Sequence, residues 1–389
     1  MATLTLKTSA ADASSASWTD SARVWMFQSL FTNLCGVSFS DWCRVLRDNR
    51  FAVSPGSWHR AAIVTGGSLL NSWYRRREDR TFGARLDRVS VPPPLFVLGH
   101  WRSGTTLLHN LLALDDRYAF PNLYEVFFPH TFLCTEDDRN GLVAPLIPRT
   151  RVFDNVPQGF EMPNEDEFAV AGASLCSPYL SWAFPRNAAQ YEHYLTFRGV
   201  AAHEVDRWKS ALVRFLKKLT LRYDRPLLLK SPPHTGRVRL LLDMFPDAKF
   251  VHVHRDPFTV FRSTHHLNDA LTRSFQFQTP DPADRDDAVV RRYRMMHDAY
   301  FDERGLIPEG HLYELAFADL ERDPVGQIRG VYEALGLSHF DAVLPRLEDY
   351  ADAHADYRKN TYDALPTPLK ERLRVEWRRS FEAWGYPSD

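Results

Sequence analysis

The chain has 389 residues, of which 44% are hydrophobic and 13% aromatic, enough to fill the core of one large domain or of several small ones. Its 48 basic and 49 acidic residues give a net charge of −1, which gives no support for general nucleic-acid binding, so any cationic site must be a local cluster. The four cysteines form no C-x-x-C pair and no apolar signal segment opens the sequence, so we expect reduced, mostly buried thiols in a cytoplasmic protein.

The sequence before the first predicted strand divides into two parts. Residues 1–17 are rich in Ser, Ala and Thr and are expected to be a disordered tail, whereas residues 18–91 are expected to be helical. The uncharged stretch Ala61–Tyr74 is shorter than the roughly 20 apolar residues of a membrane span, so it predicts a buried or interfacial helix and leaves weak membrane contact open. Three arginines at 75–77 indicate exposed helix charge, with contact to an acidic glycan as the alternative.

Residues 92–389 show the alternation of strands and helices that is typical of an α/β fold. This alternation indicates a central parallel sheet with helices on both faces, a P-loop-like arrangement of three layers. The aromatic-rich insertion of about residues 116–225 is expected to cap the carboxyl ends of the strands, where ligands bind in such sheets. The predicted strands are Leu95–Leu98, Leu227–Leu229, Lys249–His254 and His311–Leu315.

The segment Gly99–Thr106 joins the first strand to a helix and matches the phosphate-binding P-loop, G-x-x-x-x-G-K-[ST], at every defined position but one. Thr105 stands where the P-loop has its lysine. Backbone N–H groups at the start of the following helix predict an anion site, to which Arg102 adds a planar fork of donors. A turn without a ligand would explain the glycines alone. The added Arg102 and Ser103 favour a nucleotide anion that is not ATP or GTP used in the usual way.

A second anion site is predicted where the third strand ends. Arg255 follows that strand, and Ser263 lies two turns into the next helix, which Pro257 begins. These two side chains can converge on one phosphate, although a structural Arg–Asp pair is the alternative. The His-Arg-Asp sequence is also found in protein-kinase catalytic loops, but Phe261 stands where a kinase has its asparagine.

Lys230 and His234 follow the second strand, at the same predicted edge of the sheet. Lys230 is placed to stabilise negative charge on a bridging oxygen in a transition state. His234 is a candidate base, with a merely local role at a helix start as the favoured alternative.

Taken together, these motifs resemble those of the sulfotransferases, which use 3′-phosphoadenosine 5′-phosphosulfate (PAPS) as sulfuryl donor. The similarity spans about residues 92–337 and includes Tyr313-Glu-Leu and Leu335-Gly-Leu. It implies that Arg255 and Ser263 hold the 3′-phosphate of PAPS and that Lys230 assists the departing sulfuryl oxygen. A sulfuryl group carries less charge than a terminal phosphoryl group, so neither a metal nor the P-loop lysine is demanded. The residues implied to hold the 5′-phosphosulfate are Arg102, Ser103, Gly104, Thr105 and Thr106.

The resemblance offers two places for the catalytic base. Pro232 stands where cytosolic aryl and steroid sulfotransferases have a histidine, so this chain is less similar to them. Other members have a glutamate shortly after the P-loop helix, which Glu125 matches, and its aromatic neighbours would raise its pKa by desolvation. The acidic run Glu165-Asp166-Glu167 is the other candidate.

We therefore expect a PAPS-dependent sulfotransferase that attacks sulfur in line, uses a glutamate base and needs no metal. A small-molecule or nucleotide kinase with a degenerate P-loop is the alternative enzyme, and a non-catalytic nucleotide-binding scaffold is the third possibility. The acceptor is a hydroxyl of a small molecule, lipid or glycan, and the aromatic cap suggests an apolar or aromatic alcohol or a lipid headgroup. The basic segment 358–360 is a further candidate to clamp the donor.

Overall fold

The computed structural model of the chain describes residues 32–143, 159, 161–280, 285–354 and 364–387. The tail expected at 1–17 and the candidate donor clamp at 358–360 lie outside these residues. How the chain divides into domains stays a prediction.

Within the described residues, four parallel strands form one sheet in the order β2-β1-β3-β4. Strand β1 lies between β2 and β3, with Val97 opposite Lys230 on one side and Val251 on the other. The predicted parallel sheet is confirmed, and β2 and β4 each begin and end one residue later than expected. The strands are β1 (Leu95–Leu98), β2 (Leu228–Lys230), β3 (Lys249–His254) and β4 (Leu312–Ala316).

Helices cover the sheet and account for most of the chain. Among the described residues, two helices precede the first strand, namely α1 (Phe39–Asp48) and α2 (Trp58–Asp87). Those between β1 and β2 are α3 (Thr105–Leu112), α4 (Leu123–Phe127), α5 (Phe132–Val143), α6 (Asp166–Ser174), α7 (Leu180–Ala183), α8 (Ala189–Glu192) and α9 (Ala202–Tyr223). The later ones are α10 (Val238–Met244), α11 (Pro257–Phe275), α12 (Arg285–Glu303), α13 (Phe317–Arg322), α14 (Pro324–Ala334), α15 (Phe340–Ala353), α16 (Thr367–Glu376) and α17 (Arg378–Trp384).

The two faces of the sheet bury separate hydrophobic cores because side chains alternate along each strand. Phe96 and Phe250 point into a core that the insertion and the helices before the sheet complete. Val97 and Val251 point into the opposite core, formed with α3, α14 and α15. This two-sided burial explains the continuous apolar runs at β1 and at the leucines of β2.

The four cysteines form no disulfide, but the expectation that most are buried is wrong. Only Cys176 is buried, since Cys35 and Cys134 are partly covered and Cys43 lies on an exposed face of α1. No helix in the described part of the chain combines the length and the apolar composition that a bilayer crossing demands.

Candidate active site

The loop after β1 adopts the backbone that its glycines predict. Gly99 and Gly104 have φ values of 142° and 104°, and Arg102 is also left-handed with a φ of 69°. A Cβ atom on Gly99 would lie 2.5 Å from the carbonyl oxygen of Val253, so glycine alone lets the loop contact β3. The loop is fixed from within by Ser103, whose hydroxyl donates to the His100 carbonyl at 2.8 Å.

The structure brings the two predicted anion sites together. Arg102 Nε donates to Ser263 Oγ at 2.7 Å, and Arg255 Nη1 donates to the Arg102 carbonyl at 3.2 Å. The Arg255 guanidinium stacks on Phe317, 4.3 Å from its ring centre. A Cβ atom on Gly104 would collide with that same ring, so loop, ring and guanidinium form one packed unit. Thr105 and Thr106 begin α3 at the edge of this unit.

The Asp256 carboxylate accepts hydrogen bonds from the first turn of α11, the helix that follows it. The carboxylate accepts from the backbone N–H of Thr259 at 2.8 Å and from the Thr259 hydroxyl at 2.7 Å, which caps α11. The Asp256 carboxylate thus begins α11, while Arg255 contacts the loop through the Arg102 carbonyl.

Helix α17 braces the end of β3 just before Arg255. The indole of Trp384 stacks on the imidazole of His254, with ring centres 4.8 Å apart and planes 3° from parallel. The Tyr386 hydroxyl lies 2.8 Å from His254 Nδ1. The end of β3, which leads into Arg255, is thus packed against α17 and the residues just after it.

The acidic run at the start of α6 pairs, residue by residue, with the segment that follows β2. Lys230 Nζ donates to Glu165 Oε1 at 2.7 Å, and His234 Nε2 lies 2.6 Å from Asp166 Oδ2. The third pair is bidentate, because Arg237 donates to both carboxylate oxygens of Glu167, at 2.6 and 2.9 Å.

These three ion pairs differ in their access to solvent. The Glu165 side chain keeps 17% of its surface exposed and Lys230 keeps 1%, whereas Asp166, His234, Glu167 and Arg237 keep none. Burial disfavours the charged form of Asp166, but contact with His234 and hydrogen bonds from His234 and Ser231 outweigh it and lower the pKa of that carboxyl. Glu165 is therefore the carboxylate of the run that an incoming molecule can reach.

His234 lies inside the protein, with one ring nitrogen on Asp166 and its ring edge-on to Phe96. It has no exposed surface. Its contact with Asp166, 68 residues away in the chain, indicates that it orients that carboxylate, and its assignment as a base stays a prediction without a contact to support it.

Glu125 lies in a different set of contacts. Its carboxylate accepts from the backbone N–H of Asn122 at 2.8 Å and from the Tyr223 hydroxyl at 2.9 Å, and Arg222 Nε lies 3.6 Å away. Together with the Asn122 side chain it closes a capping box that begins α4. Burial raises the pKa of Glu125 from 4.5 to about 8, in the expected direction. The side chain is wholly buried, however, and the structure brings it to α9 instead of to the Lys230–Glu165 pair.

Two features of the site were not singled out from the sequence. Tyr179 donates its hydroxyl to Glu165, and both burial and the Glu165 charge raise the pKa of that phenol, so the hydroxyl keeps its proton. Arg237 anchors Glu167 and stacks on Trp208, 4.9 Å from the ring. The aromatic richness of the insertion was a signal for Tyr179, but no local pattern marked Arg237.

Tyr179 belongs to a cluster of three aromatic side chains that pack together. Trp101, Tyr179 and Trp182 lie against one another, with ring centres 4.3 to 6.4 Å apart. They line a cavity of about 20 Å³, which has room for about one water molecule. Trp182 and Asn268 also line an open cleft of about 510 Å³ between α8, α11 and α12. The cleft therefore adjoins the cavity lined by Tyr179, the residue whose hydroxyl donates to Glu165.

Comparison with known proteins decides the class of this site. A family model described as the Sulfotransferase family matches residues 93–342. The omega-hydroxy-beta-dihydromenaquinone-9 sulfotransferase Stf3 of Mycobacterium tuberculosis is 41% identical over 356 residues, which cover 90% of this chain and 90% of that relative. The chain belongs to the sulfotransferase family. This sulfotransferase is thus the kind of enzyme that its motifs predict, and the kinase alternative finds no support.

Two solved sulfotransferase structures share its fold. STF9 of Mycobacterium avium superposes with a TM-score of 0.63 at 18% identity, covering 90% of this chain and 97% of that one. STF1 of Mycobacterium tuberculosis gives a TM-score of 0.60 at 17% identity, covering 92% and 97%. At these identities the likeness concerns the fold, which confirms the predicted P-loop-like architecture.

Proposed function

We propose that this sulfotransferase moves the sulfuryl group of PAPS to the hydroxyl of an apolar, lipid-like acceptor. The observation that carries the proposal is the 2.7 Å contact between Arg102 and Ser263, because it joins two anion motifs that lie 161 residues apart. A donor with phosphate groups at two positions of one nucleoside fits two adjacent cationic sites, whereas a nucleoside triphosphate needs only one.

The donor residues divide between the two motifs. Backbone N–H groups at the start of α3 and the Arg102 guanidinium would hold the 5′-phosphosulfate, since a helix start favours an anion. Ser103, Gly104, Thr105 and Thr106 supply the loop that presents those groups. Arg255 and Ser263 would hold the 3′-phosphate, and the Phe317 ring keeps the Arg255 guanidinium in place for it.

We further propose Glu165 as the base in preference to Glu125. The acceptor hydroxyl gives its proton to Glu165, its oxygen forms the new bond to sulfur, and the bond from sulfur to the bridging oxygen of PAPS breaks. Adenosine 3′,5′-bisphosphate leaves with that oxygen, whose negative charge Lys230 stabilises. A base must touch its proton donor, and Glu165 has exposed surface where Glu125 has none.

We propose the chemical class of the acceptor from the side chains that lie near Glu165 and line the neighbouring cleft. Trp182 borders both the small cavity and the open cleft, and Trp101 and Tyr179 pack behind it, so this side of the proposed acceptor site is aromatic, which suits an apolar chain. The name of the relative Stf3 describes action on a hydroxylated menaquinone, which supports a lipid alcohol here as well. The acceptor's chain would then extend into the cleft beyond Trp182 and Asn268.

Calorimetry and label transfer test this function directly. We expect the protein to bind adenosine 3′,5′-bisphosphate with a micromolar dissociation constant and to transfer labelled sulfate from PAPS, without added magnesium, to a polyisoprenoid alcohol. An aryl alcohol and an oligosaccharide serve as comparison acceptors. Binding of ATP in place of the bisphosphate would overturn the donor assignment. Transfer to the oligosaccharide alone would overturn the acceptor assignment and leave the donor assignment intact.

A further inference from the structure

The outer face of helix α2 is apolar along its first four turns. Trp58, Leu69, Leu70 and Trp73 are each more than half exposed, and Ile63 is 39% exposed. Of the nine large hydrophobic side chains exposed in the described part of the chain, seven lie between residues 39 and 73. Five of these seven lie on α2. Single exposed apolar residues are ordinary on a protein surface, but five on one helix mark an interaction surface.

The opposite face fixes this helix to the protein. Val64, Ser68 and Asn71 are buried at helical spacing, and the Asn71 amide donates to the carbonyls of Cys35 and Val37. The Thr65 hydroxyl accepts a hydrogen bond from the Trp42 indole at 2.9 Å. The outward direction of Leu69, Leu70 and Trp73 is therefore set by specific polar contacts on the inner side.

The outer face of α2 changes from apolar to cationic after Trp73. At 100° per residue, Arg76, Arg77 and Arg80 continue the same face, and all three are exposed. The residues from Trp58 to Trp73 include no acidic side chain. Of the three acids that follow in α2, Glu78 is buried against Lys218, Asp79 pairs with Arg214, and Asp87 is the last residue of the helix, seven positions beyond Arg80.

The apolar end of this face adjoins the proposed acceptor cleft. Arg60, on the inner side of α2, donates to the carbonyls of Arg273 and Gln276 at 3.1 and 3.2 Å. Ser57 donates to the same Gln276 carbonyl at 3.1 Å. Because Arg273 and Gln276 also line the cleft of about 510 Å³, the beginning of α2 forms part of its surroundings.

We propose that the outer face of α2 docks on the surface of an anionic lipid bilayer. The helix lies in the interface, with Trp58, Leu69, Leu70 and Trp73 immersed and the arginines on the phosphate groups. Apolar contact and attraction between arginines and anionic headgroups together drive such binding. Trp58 and Trp73 sit about 22 Å apart along the helix, where the amphipathic indole suits the headgroup level. Charge complementarity argues for an anionic membrane as the occupant.

Vesicle flotation with the full chain tests this docking. We expect the wild type to float with vesicles that contain phosphatidylglycerol and to bind phosphatidylcholine vesicles at least 10-fold less well. The triple variant Leu69→Gln, Leu70→Gln, Trp73→Gln should lose at least 10-fold in binding to the anionic vesicles. The matched control is Leu306→Gln with Val375→Gln, which changes exposed apolar residues on other elements and should bind like the wild type.

A second set of variants tests the cationic part. Changing Arg76, Arg77 and Arg80 to Gln should abolish the preference for anionic over neutral vesicles. The same change at Arg322 and Arg378, which are exposed elsewhere, should leave it intact. Circular dichroism and bisphosphate binding confirm that every variant folds.

Three outcomes would overturn the docking proposal. The wild type could stay unbound at every lipid composition, or the apolar triple variant could bind like the wild type. The face could also be an interface between copies, in which case sedimentation without vesicles would show a dimer that the triple variant dissociates. The flotation assay contains neither donor nor acceptor, so its result is independent of the proposed sulfuryl transfer.

Discussion

The donor half and the acceptor half of this site differ in how their residues come together. On the donor side, Gly99–Thr106 and Arg255–Ser263 are each a short segment in which one strand end leads into one helix. On the acceptor side, Glu165, Asp166 and Glu167 reach partners 65 to 70 residues away, in the segment from Lys230 to Arg237. Each donor segment is folded by its own turn chemistry, and the contact from Arg102 to Ser263 joins the two, whereas every pair of the acceptor half is a tertiary contact.

This difference decides what a substitution does. A change in the donor half removes a contact to the ligand and leaves its own segment folded. A change in the acceptor half removes one partner of a buried or half-buried ion pair, so it acts on stability as well as on chemistry. Glu165 is the informative exception, because it is paired and yet partly exposed.

The largest expected effect is on turnover. Glu165→Gln should lower kcat by about 10² to 10⁴, the range typical for loss of a general base, while bisphosphate affinity changes little. Glu125→Gln should lower kcat less than 10-fold, because that side chain is buried away from the acceptor. Single-turnover transfer of labelled sulfate from PAPS measures both. The opposite order of effects would return the base to Glu125 and contradict the proposed assignment.

A smaller effect is expected on donor affinity. Arg255→Ala should weaken bisphosphate binding about 10- to 100-fold, since it removes a charge-assisted contact worth about 1.5 to 3 kcal/mol. The chain provides a matched control in Arg329, which stacks on Phe340 at the same 4.3 Å that separates Arg255 from Phe317. Arg329→Ala should leave the affinity unchanged. Equal losses in the two variants, measured by calorimetry, would assign the effect to lost ring stacking and contradict a 3′-phosphate contact.

The last expected effect concerns the pH dependence of stability and comes from a single buried carboxyl group. Burial raises the pKa of Glu125 to about 8, so between about pH 5 and pH 8 the folded protein holds a proton there that the unfolded chain releases. The free energy of unfolding should therefore fall as pH rises, by about 1.4 kcal/mol per pH unit from this group. Glu125→Gln should remove that slope, and exposed Glu348→Gln should keep it. Denaturant unfolding at pH 5.5, 6.5 and 7.5 measures the difference.

The first two strands of this chain were predictable because both of their faces are buried. Continuous apolar runs located β1 and β2, all four strands were located to within one residue, and β1 and β3 matched at both ends. The donor loop was predictable for a related reason. Its glycines, Arg102 and Ser103 all lie in one short loop, so their spacing in the sequence directly indicates how they are arranged in the structure.

The acceptor half was only partly predictable. The sequence named Lys230 and the acidic run, but it could not show that Glu165 and Lys230 meet, since 65 residues separate them. The desolvation expected for Glu125 is present, but its extent was unforeseen. A capping box and the last turn of α9 enclose that carboxylate completely, and neither contact follows from the aromatic neighbours that drew attention to it.

The stacking of Trp384 on His254 connects the end of β3, next to the proposed donor-binding residue Arg255, to a segment some 130 positions farther along the chain. A fusion partner attached after residue 387, or proteolytic clipping ahead of Arg378, acts directly on the support beneath Arg255. Under the proposed role of Arg255, affinity handles and fluorescent labels are therefore better attached on another side of the molecule.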